Sequence, residues 1–206
     1  MKDYFENLLD QLSKRSVDVV KKDILIEEQV IGSFFEPYSV REDILQLYRR
    51  YQKFTLSWFS SIEKYQGYPG ETYSGYIEFI PYGLLEENHE ELIEIMHEVY
   101  DVNEDELQIR SDIENWYPIF RFPNGDYFCL DGRNGEIVFF DHEIYEYEDA
   151  SESLHGLIIA ESINDLFEKW SRCFFVDIYD WTVGVSEKGI DLSLPVYQKF
   201  IKEWEL

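Results

Sequence analysis

Apolar residues recur every three or four positions in several parts of the chain, which is the pattern of amphipathic helices. Two of these segments also carry a start signal: Ser39 and Glu42 fit the capping pattern S-x-x-E, and Ser162 with Asp165 caps a later segment in the same way. The pattern predicts helices over residues 3–14, from Ser39 to about Gln52, over residues 88–100, from Ser162 to about Arg172, and at the chain end.

Runs of β-branched and aromatic residues predict strands between these helices. The strongest signal is residues 117–141, where a Pro123-Asn124-Gly125 turn and a second turn from Gly132 to Gly135 separate three apolar runs. Phe128–Leu130 and Val138–Phe140 are consecutive apolar residues, which predicts central strands covered on both faces. Further strands are predicted over residues 54–59, 75–80 and 157–160, whereas residues 183–194 are predicted to form a loop. We therefore expect one α+β domain over residues 1–206, with a central antiparallel sheet of about five to six strands flanked by helices.

The charge of the chain is strongly acidic and unevenly distributed. The chain has 43 acidic and 18 basic residues, and residues 1–64 hold 11 and 10 of these, so nearly all of the excess lies downstream. Residues 65–109 contain 12 acidic residues and no Lys or Arg, and residues 134–168 contain 10 and none. Nucleic acids and anionic membranes are bound through Lys and Arg, so we expect contact with neither, and a basic protein partner fits better. The simpler alternative is that the acidity only keeps the protein in solution.

The start of the chain does not resemble a secretory signal, because Asp3 and Glu6 stand where basic residues and then an unbroken apolar stretch are needed. The apolar stretches are also far shorter than the roughly 20 residues that span a bilayer. We therefore expect a soluble cytoplasmic protein, with a monomer favoured. In that compartment Cys129 and Cys173 are expected to be two buried thiols rather than a disulfide.

Patterns for phosphate or metal binding are missing from the sequence. There is no G-x-G-x-x-G and no G-x-x-x-x-G-K-[ST], so no nucleotide or other cofactor is predicted. A zincin needs H-E-x-x-H, and the pairs His97-Glu98 and His142-Glu143 each lack the second histidine. We predict no metal ligand.

Two aspartates offer the strongest case for catalysis. Asp131 and Asp141 end facing strands, and with His142 they could act as acid and base in a small hydrolase. Capping of tight turns explains both aspartates more simply, because Asp side chains accept hydrogen bonds from nearby backbone N–H groups. Cys129 lies between Phe128 and Leu130 in the most apolar strand and is expected to be a core residue. We therefore predict no catalytic residue.

The segment WYPIFRFPNGDYFCLDGRNGEIVFFDHE, followed by LIIAESINDLFEKW, resembles the SUKH superfamily of yeast cell-wall-assembly regulators (Smi/Knr-like) and bacterial immunity proteins. The resemblance covers about residues 27–172 and leaves the helix over 3–14 and the extension 173–206 as decorations. One departure is Gln52-Lys53, where the family usually has Asn-Gly after its helix. The matching positions are Leu56, Trp58, Gly75, Ile77, Pro81, Gly125, Asp126, Leu130, Asp131, Val138, Phe139, His142, Ala160, Ser162, Leu166 and Phe167.

The resemblance implies a non-catalytic protein-binding module, typically an immunity protein that neutralises a cognate bacterial toxin. The charge agrees, because a nuclease toxin must be basic to hold nucleic acid. The alternative function is a regulator or scaffold in cell-envelope or stress signalling. The contact surface is expected to include aromatic residues between acidic ones and an acidic helix, although an ordinary solvated helix face is equally compatible. The candidate residues are Glu86, Glu87, Glu90, Glu91, Glu94, Asp101, Glu104, Asp105, Glu106, Tyr145 and Tyr147.

Overall fold

The computed structural model describes residues 4–14, 17–27, 31, 42–60, 74–99, 112–144, 153–173, 175, 185–187 and 189–204. The helices among them are Tyr4–Ser13 (α1), Glu42–Arg50 (α2), Leu85–Val99 (α3), Ile163–Arg172 (α4) and Pro195–Trp204 (α5). The strands are Val17–Ile26 (β1), Tyr51–Ser60 (β2), Ser74–Phe79 (β3), Trp116–Arg121 (β4), Tyr127–Asp131 (β5), Ile137–Phe140 (β6), Ile158–Ala160 (β7), Val185–Ser186 (β8) and Gly189–Ile190 (β9).

The first seven strands form one antiparallel sheet in the order in which they occur along the chain. The expected α+β architecture is therefore confirmed, with seven strands where about five to six were predicted. The additional strand is β1, which pairs with the whole of β2 and has a register shift between Val19 and Lys21. Strand β2 begins at Tyr51, directly after α2, so Gln52 and Lys53 lie in a strand and not in a turn.

Helices α1, α2 and α4 cover one face of the sheet and enclose the larger core cluster. Aromatic rings dominate this core: Phe5 of α1 stacks on Phe54 of β2 at 3.7 Å and meets Phe167 of α4 edge to face at 5.2 Å. Trp170 of α4 contacts Phe128 at 5.2 Å. The cap predicted for α4 is confirmed, since the Ser162 hydroxyl accepts a hydrogen bond of 3.1 Å from a backbone N–H in its first turn.

A second, smaller cluster lies on the opposite face of β4–β6, beneath α3. Leu92 of α3 packs there with Trp116, Cys129, Val138 and Phe140. Side chains of β5 and β6 thus alternate between the two clusters and are buried on both faces, as the consecutive apolar residues predicted.

The segment predicted as a loop over residues 183–194 contains the β8–β9 hairpin instead. Its backbone lies against β7 so closely that a Cβ at Gly189 would come within 2.1 Å of the Ile159 carbonyl oxygen. Gly189 also has a φ of +75°, which favours glycine. A tertiary contact that only glycine permits therefore holds this hairpin. The helix predicted at the chain end is confirmed as α5.

Among the described residues, no helix is both long enough and apolar enough to cross a membrane.

Candidate protein-binding surface

Helix α3 is fixed on the sheet by one buried side and by a polar contact to β4. Leu85 and Leu92 are buried on that side. Asn88 lies between them, donates a hydrogen bond of 2.7 Å to the Leu84 carbonyl oxygen, and accepts one of 2.6 Å from the Arg121 guanidinium. The buried side of α3 is therefore defined, and the opposite side must face away from the sheet.

The five predicted glutamates on α3 all lie on that opposite side and are all exposed. Their spacing of three and four residues places them on one face of the helix, over a length of about 12 Å at 1.5 Å per residue. None of them forms an ion pair with another described residue. We call Glu86, Glu87, Glu90, Glu91 and Glu94 the glutamate face.

The only histidine within the first two turns of α3 does not offset this charge. His89 is half-buried, its ring lies 4.3 Å from the Tyr117 ring, and its Nε2 is 3.2 Å from the Glu114 carbonyl oxygen. Burial lowers the pKa of His89, although hydrogen bonds to backbone carbonyls counteract this shift. His89 is therefore neutral at pH 7 and adds no positive charge next to the glutamate face.

Six other predicted contact residues lie outside the described residues, so their predictions stay predictions. They are Asp101, Glu104, Asp105, Glu106, Tyr145 and Tyr147.

A polar network around Asp126 joins the turn before β5 to the end of β6. Asp126 is buried and accepts hydrogen bonds from the His142 backbone N–H at 3.0 Å and from Asn124 Nδ2 at 2.6 Å. Its Oδ1 also lies 2.7 Å from His142 Nδ1. Asp141 is buried nearby and accepts from the Glu143 backbone N–H at 2.9 Å and from the Ser153 hydroxyl at 2.5 Å.

This network is the group of described residues that comes nearest to a metal site. Ligand atoms of Asp126, Asp141 and His142 lie within 4.8 Å of one another. All four carboxylate oxygens already accept hydrogen bonds within the protein, and a cation would have to displace them. Stabilisation of the two turns accounts for these residues.

Asp131 lies at the other end of the β5–β6 hairpin, so it cannot act together with Asp141. Because the strands are antiparallel, Asp131 at the end of β5 is opposite Glu136, and the two aspartates are separated along the hairpin by about five residues, or about 17 Å. Asp131 caps its own turn, accepting from the Arg133 backbone N–H at 2.8 Å. The hypothesis of a hydrolase built on Asp131, Asp141 and His142 is therefore wrong, and turn capping is correct for both aspartates.

His155 is partly buried and serves the same turn. Its Nδ1 accepts a hydrogen bond of 3.3 Å from the Asp141 backbone N–H, so its other nitrogen carries the proton. The rings of Trp116 and Phe140 lie 5.2 and 5.3 Å away. Burial lowers the pKa of His155 to about 4, although Asp141 counteracts this shift. His155 is thus a neutral structural residue.

The two cysteines are free and buried, as predicted. Burial raises the pKa of the Cys129 thiol well above its ordinary value and that of Cys173 to about 12. Neither is a thiolate at neutral pH, so neither is available as a nucleophile.

One open cleft of about 440 Å³ lies between α4 and the segment that precedes α5. Charges of both signs line it, including Asp165 and Lys169, which pair with each other at 2.7 Å. Ser193 in its lining donates its hydroxyl to Asp191 at 2.5 Å, but the same Asp191 oxygen also accepts from the Ser193 backbone N–H at 2.9 Å, which is a local turn contact. The glutamate face remains the most distinctive surface among the described residues.

Sequence reasoning did not single out Leu84, which lies beside the glutamate face with 45% of its surface exposed. No sequence signal distinguishes it from the buried Leu85.

Residues 39–169 match the family model described as the SMI1 / KNR4 family (SUKH-1), which is almost two thirds of the chain. No curated protein and no solved structure gave a match. The matched region includes α2, the strands β2–β7, α3 and most of α4, and therefore the whole glutamate face.

Proposed function

Because the chain belongs to the SMI1/KNR4 family (SUKH-1), we propose that it is a non-catalytic protein-binding module that acts as an immunity protein. In this proposal it neutralises a cognate bacterial toxin by direct binding. The observation that carries the proposal is the glutamate face, which has five exposed carboxylates and no cationic partner among the described residues.

The partner that fits this face is a basic protein. Five like charges within about 12 Å create a local negative potential, which attracts and orients a positively charged surface. A nuclease toxin carries such a surface, because it must hold phosphate. A protein bound there covers the site that nucleic acid would occupy, and so inhibits the nuclease without any chemistry of its own.

The chemistry of the described residues supports a binding function over catalysis. The buried aspartates are used in turns, both thiols are protonated, and the partly buried histidines His89 and His155 are neutral. These groups stabilise the sheet and its turns, and the exposed carboxylates remain for recognition.

The experiment is a binding measurement with the purified product of the gene adjacent to this one, carrying an inactivating substitution so that it can be produced. We expect a complex whose dissociation constant rises steeply between low salt and about 1 M NaCl, where the Debye length is only about 3 Å. A complex with an enzyme of envelope synthesis or a signalling kinase, together with no affinity for the adjacent product, would support the regulator alternative and overturn the proposal.

A further inference from the structure

The turn that leads into α3 presents apolar atoms next to the glutamate face. Residues Tyr82–Leu84 form a single 3-10 turn, which is closed by a hydrogen bond of 2.9 Å from the Leu84 N–H to the Pro81 carbonyl oxygen. Pro81 and Tyr82 are half-exposed, and Leu84 is 45% exposed. Leu85, the next residue, is completely buried, so the turn fixes which of the two leucines points outward.

Helical spacing aligns Leu84 with part of the glutamate face. Leu84, Glu87 and Glu91 are separated by three and four residues and therefore follow one stripe along the helix. The stripe thus combines an exposed apolar side chain and two exposed carboxylates.

Gly83 makes the same turn accessible. A Cβ at this position would meet no atom within 4 Å, so another backbone can approach the turn from outside. A single exposed leucine is common on protein surfaces and needs no explanation by itself. Its position between an open glycine and carboxylates that form no ion pair with any described residue is what distinguishes Leu84 from an ordinary surface leucine.

We infer that Leu84 is the apolar anchor of the interface, and that the partner presents an apolar pocket rimmed by Lys or Arg. The carboxylates of Glu87 and Glu91 pair with the rim, while Leu84 enters the pocket at the centre. Interfaces of this kind have a dry centre that supplies the affinity and a charged rim that supplies orientation. The inference rests on the proposed function and specifies the chemistry of its partner.

Two variants test the anchor without disturbing the fold. Leu84→Ala removes the exposed side chain, and Gly83→Gln adds neutral bulk to open space. The matched control is Ile158→Ala, where 41% of the residue is exposed on β7, the strand at the edge of the sheet, which belongs to neither the 3-10 turn nor α3. Glu87→Gln and Glu91→Gln test whether these carboxylates pair with the basic rim of the partner's pocket. Melting temperatures of all five variants are measured alongside their affinities for the inactivated product of the adjacent gene.

Leu84→Ala removes three carbon atoms from the apolar contact, so it is expected to raise the dissociation constant about tenfold or more, which corresponds to about 1.4 kcal/mol, at low and at high salt alike. Gly83→Gln is expected to have an effect at least as large. The two Glu→Gln variants should weaken binding at low salt only, because screening removes a rim charge but not an apolar contact. Ile158→Ala should bind like the wild type.

Wild-type affinity for Leu84→Ala and Gly83→Gln, together with weakened binding of the Glu→Gln variants, would overturn the anchor and leave the proposed function standing. An equal loss of affinity in Ile158→Ala would overturn it as well. If the wild type itself does not bind, the proposed function fails and the anchor fails with it.

Discussion

The repulsion within α3 makes a testable prediction about stability. Glu90 has Glu86 and Glu94 four residues away on either side and Glu87 three residues away, and no cationic side chain is near it among the described residues. Each like-charge pair at this spacing destabilises a helix by about 0.2–0.5 kcal/mol, and an opposite-charge pair stabilises it by a similar amount. The variant Glu90→Lys reverses the sign of all three interactions.

The expected gain in the free energy of unfolding is about 1 to 3 kcal/mol at low salt. For a chain of this size, such a gain corresponds to a melting temperature higher by about 3 to 9 °C. Lys and Glu have similar helix propensities, so the charge is the only large difference. Circular dichroism melts at low salt and at about 1 M NaCl measure the effect, and most of the gain should be absent at the higher salt concentration.

The control is Glu187→Lys in the turn between β8 and β9, which makes the same change in net charge away from any helix. If the free energy of unfolding rises no more in Glu90→Lys than in this control, only the net charge of the protein matters. A gain that persists in high salt would refute the electrostatic explanation altogether. A stabilised Glu90→Lys that also loses its partner would identify the repulsion as a cost of function.

Three further predictions concern the core and the turns. Substituting Gly189 with Ala should lower the free energy of unfolding by more than about 2 kcal/mol in chemical denaturation, because the new Cβ collides with the Ile159 carbonyl oxygen and φ is positive; a neutral effect would contradict the close approach. Because the folded pKa of His155, about 4, lies below its ordinary 6.5, the unfolded state binds the proton first as the pH falls. The free energy of unfolding should therefore fall by about 3 kcal/mol from above pH 6.5 to pH 4, and His155→Gln should reduce this pH dependence. Equal pH dependence of unfolding in the wild type and in His155→Gln would refute the role of His155. Cys129 and Cys173 should react with a thiol reagent only at the rate of unfolding, and rapid modification of the native protein would contradict their burial.

The elements that sequence analysis predicted correctly are those whose signals are local. The hairpins β4–β6 follow from turn residues such as Asn124-Gly125 between apolar runs, and α4 follows from the Ser162 cap and an apolar stripe. The exposure of the glutamate face follows from spacing alone, because Leu85 and Leu92 determine which side of α3 is buried.

The missed elements depend on contacts that are distant in the sequence. In β1 the alternation of apolar and polar residues is interrupted at Lys21-Lys22, and the register with β2 shifts next to them. The sequence pattern therefore does not indicate a strand, and β1 depends on its pairing with β2. Each strand of the β8–β9 hairpin has only two residues, and the close contact of Gly189 with Ile159 holds the hairpin against β7. The opposite positions of Asp131 and Asp141 require the antiparallel register of β5 and β6, which residue types near the turns do not specify.

Rescue of growth shows whether the glutamate face binds and neutralises a toxin. Cells producing the active product of the adjacent gene would also produce the wild type, the triple variant Glu87→Gln, Glu90→Gln, Glu91→Gln, or the control Glu114→Gln, Glu161→Gln, Glu187→Gln, whose residues are exposed outside α3. We expect the wild type and the control to rescue growth and the α3 variant to lose this activity. Equal rescue by both triple variants would refute a role of the glutamate face in neutralisation.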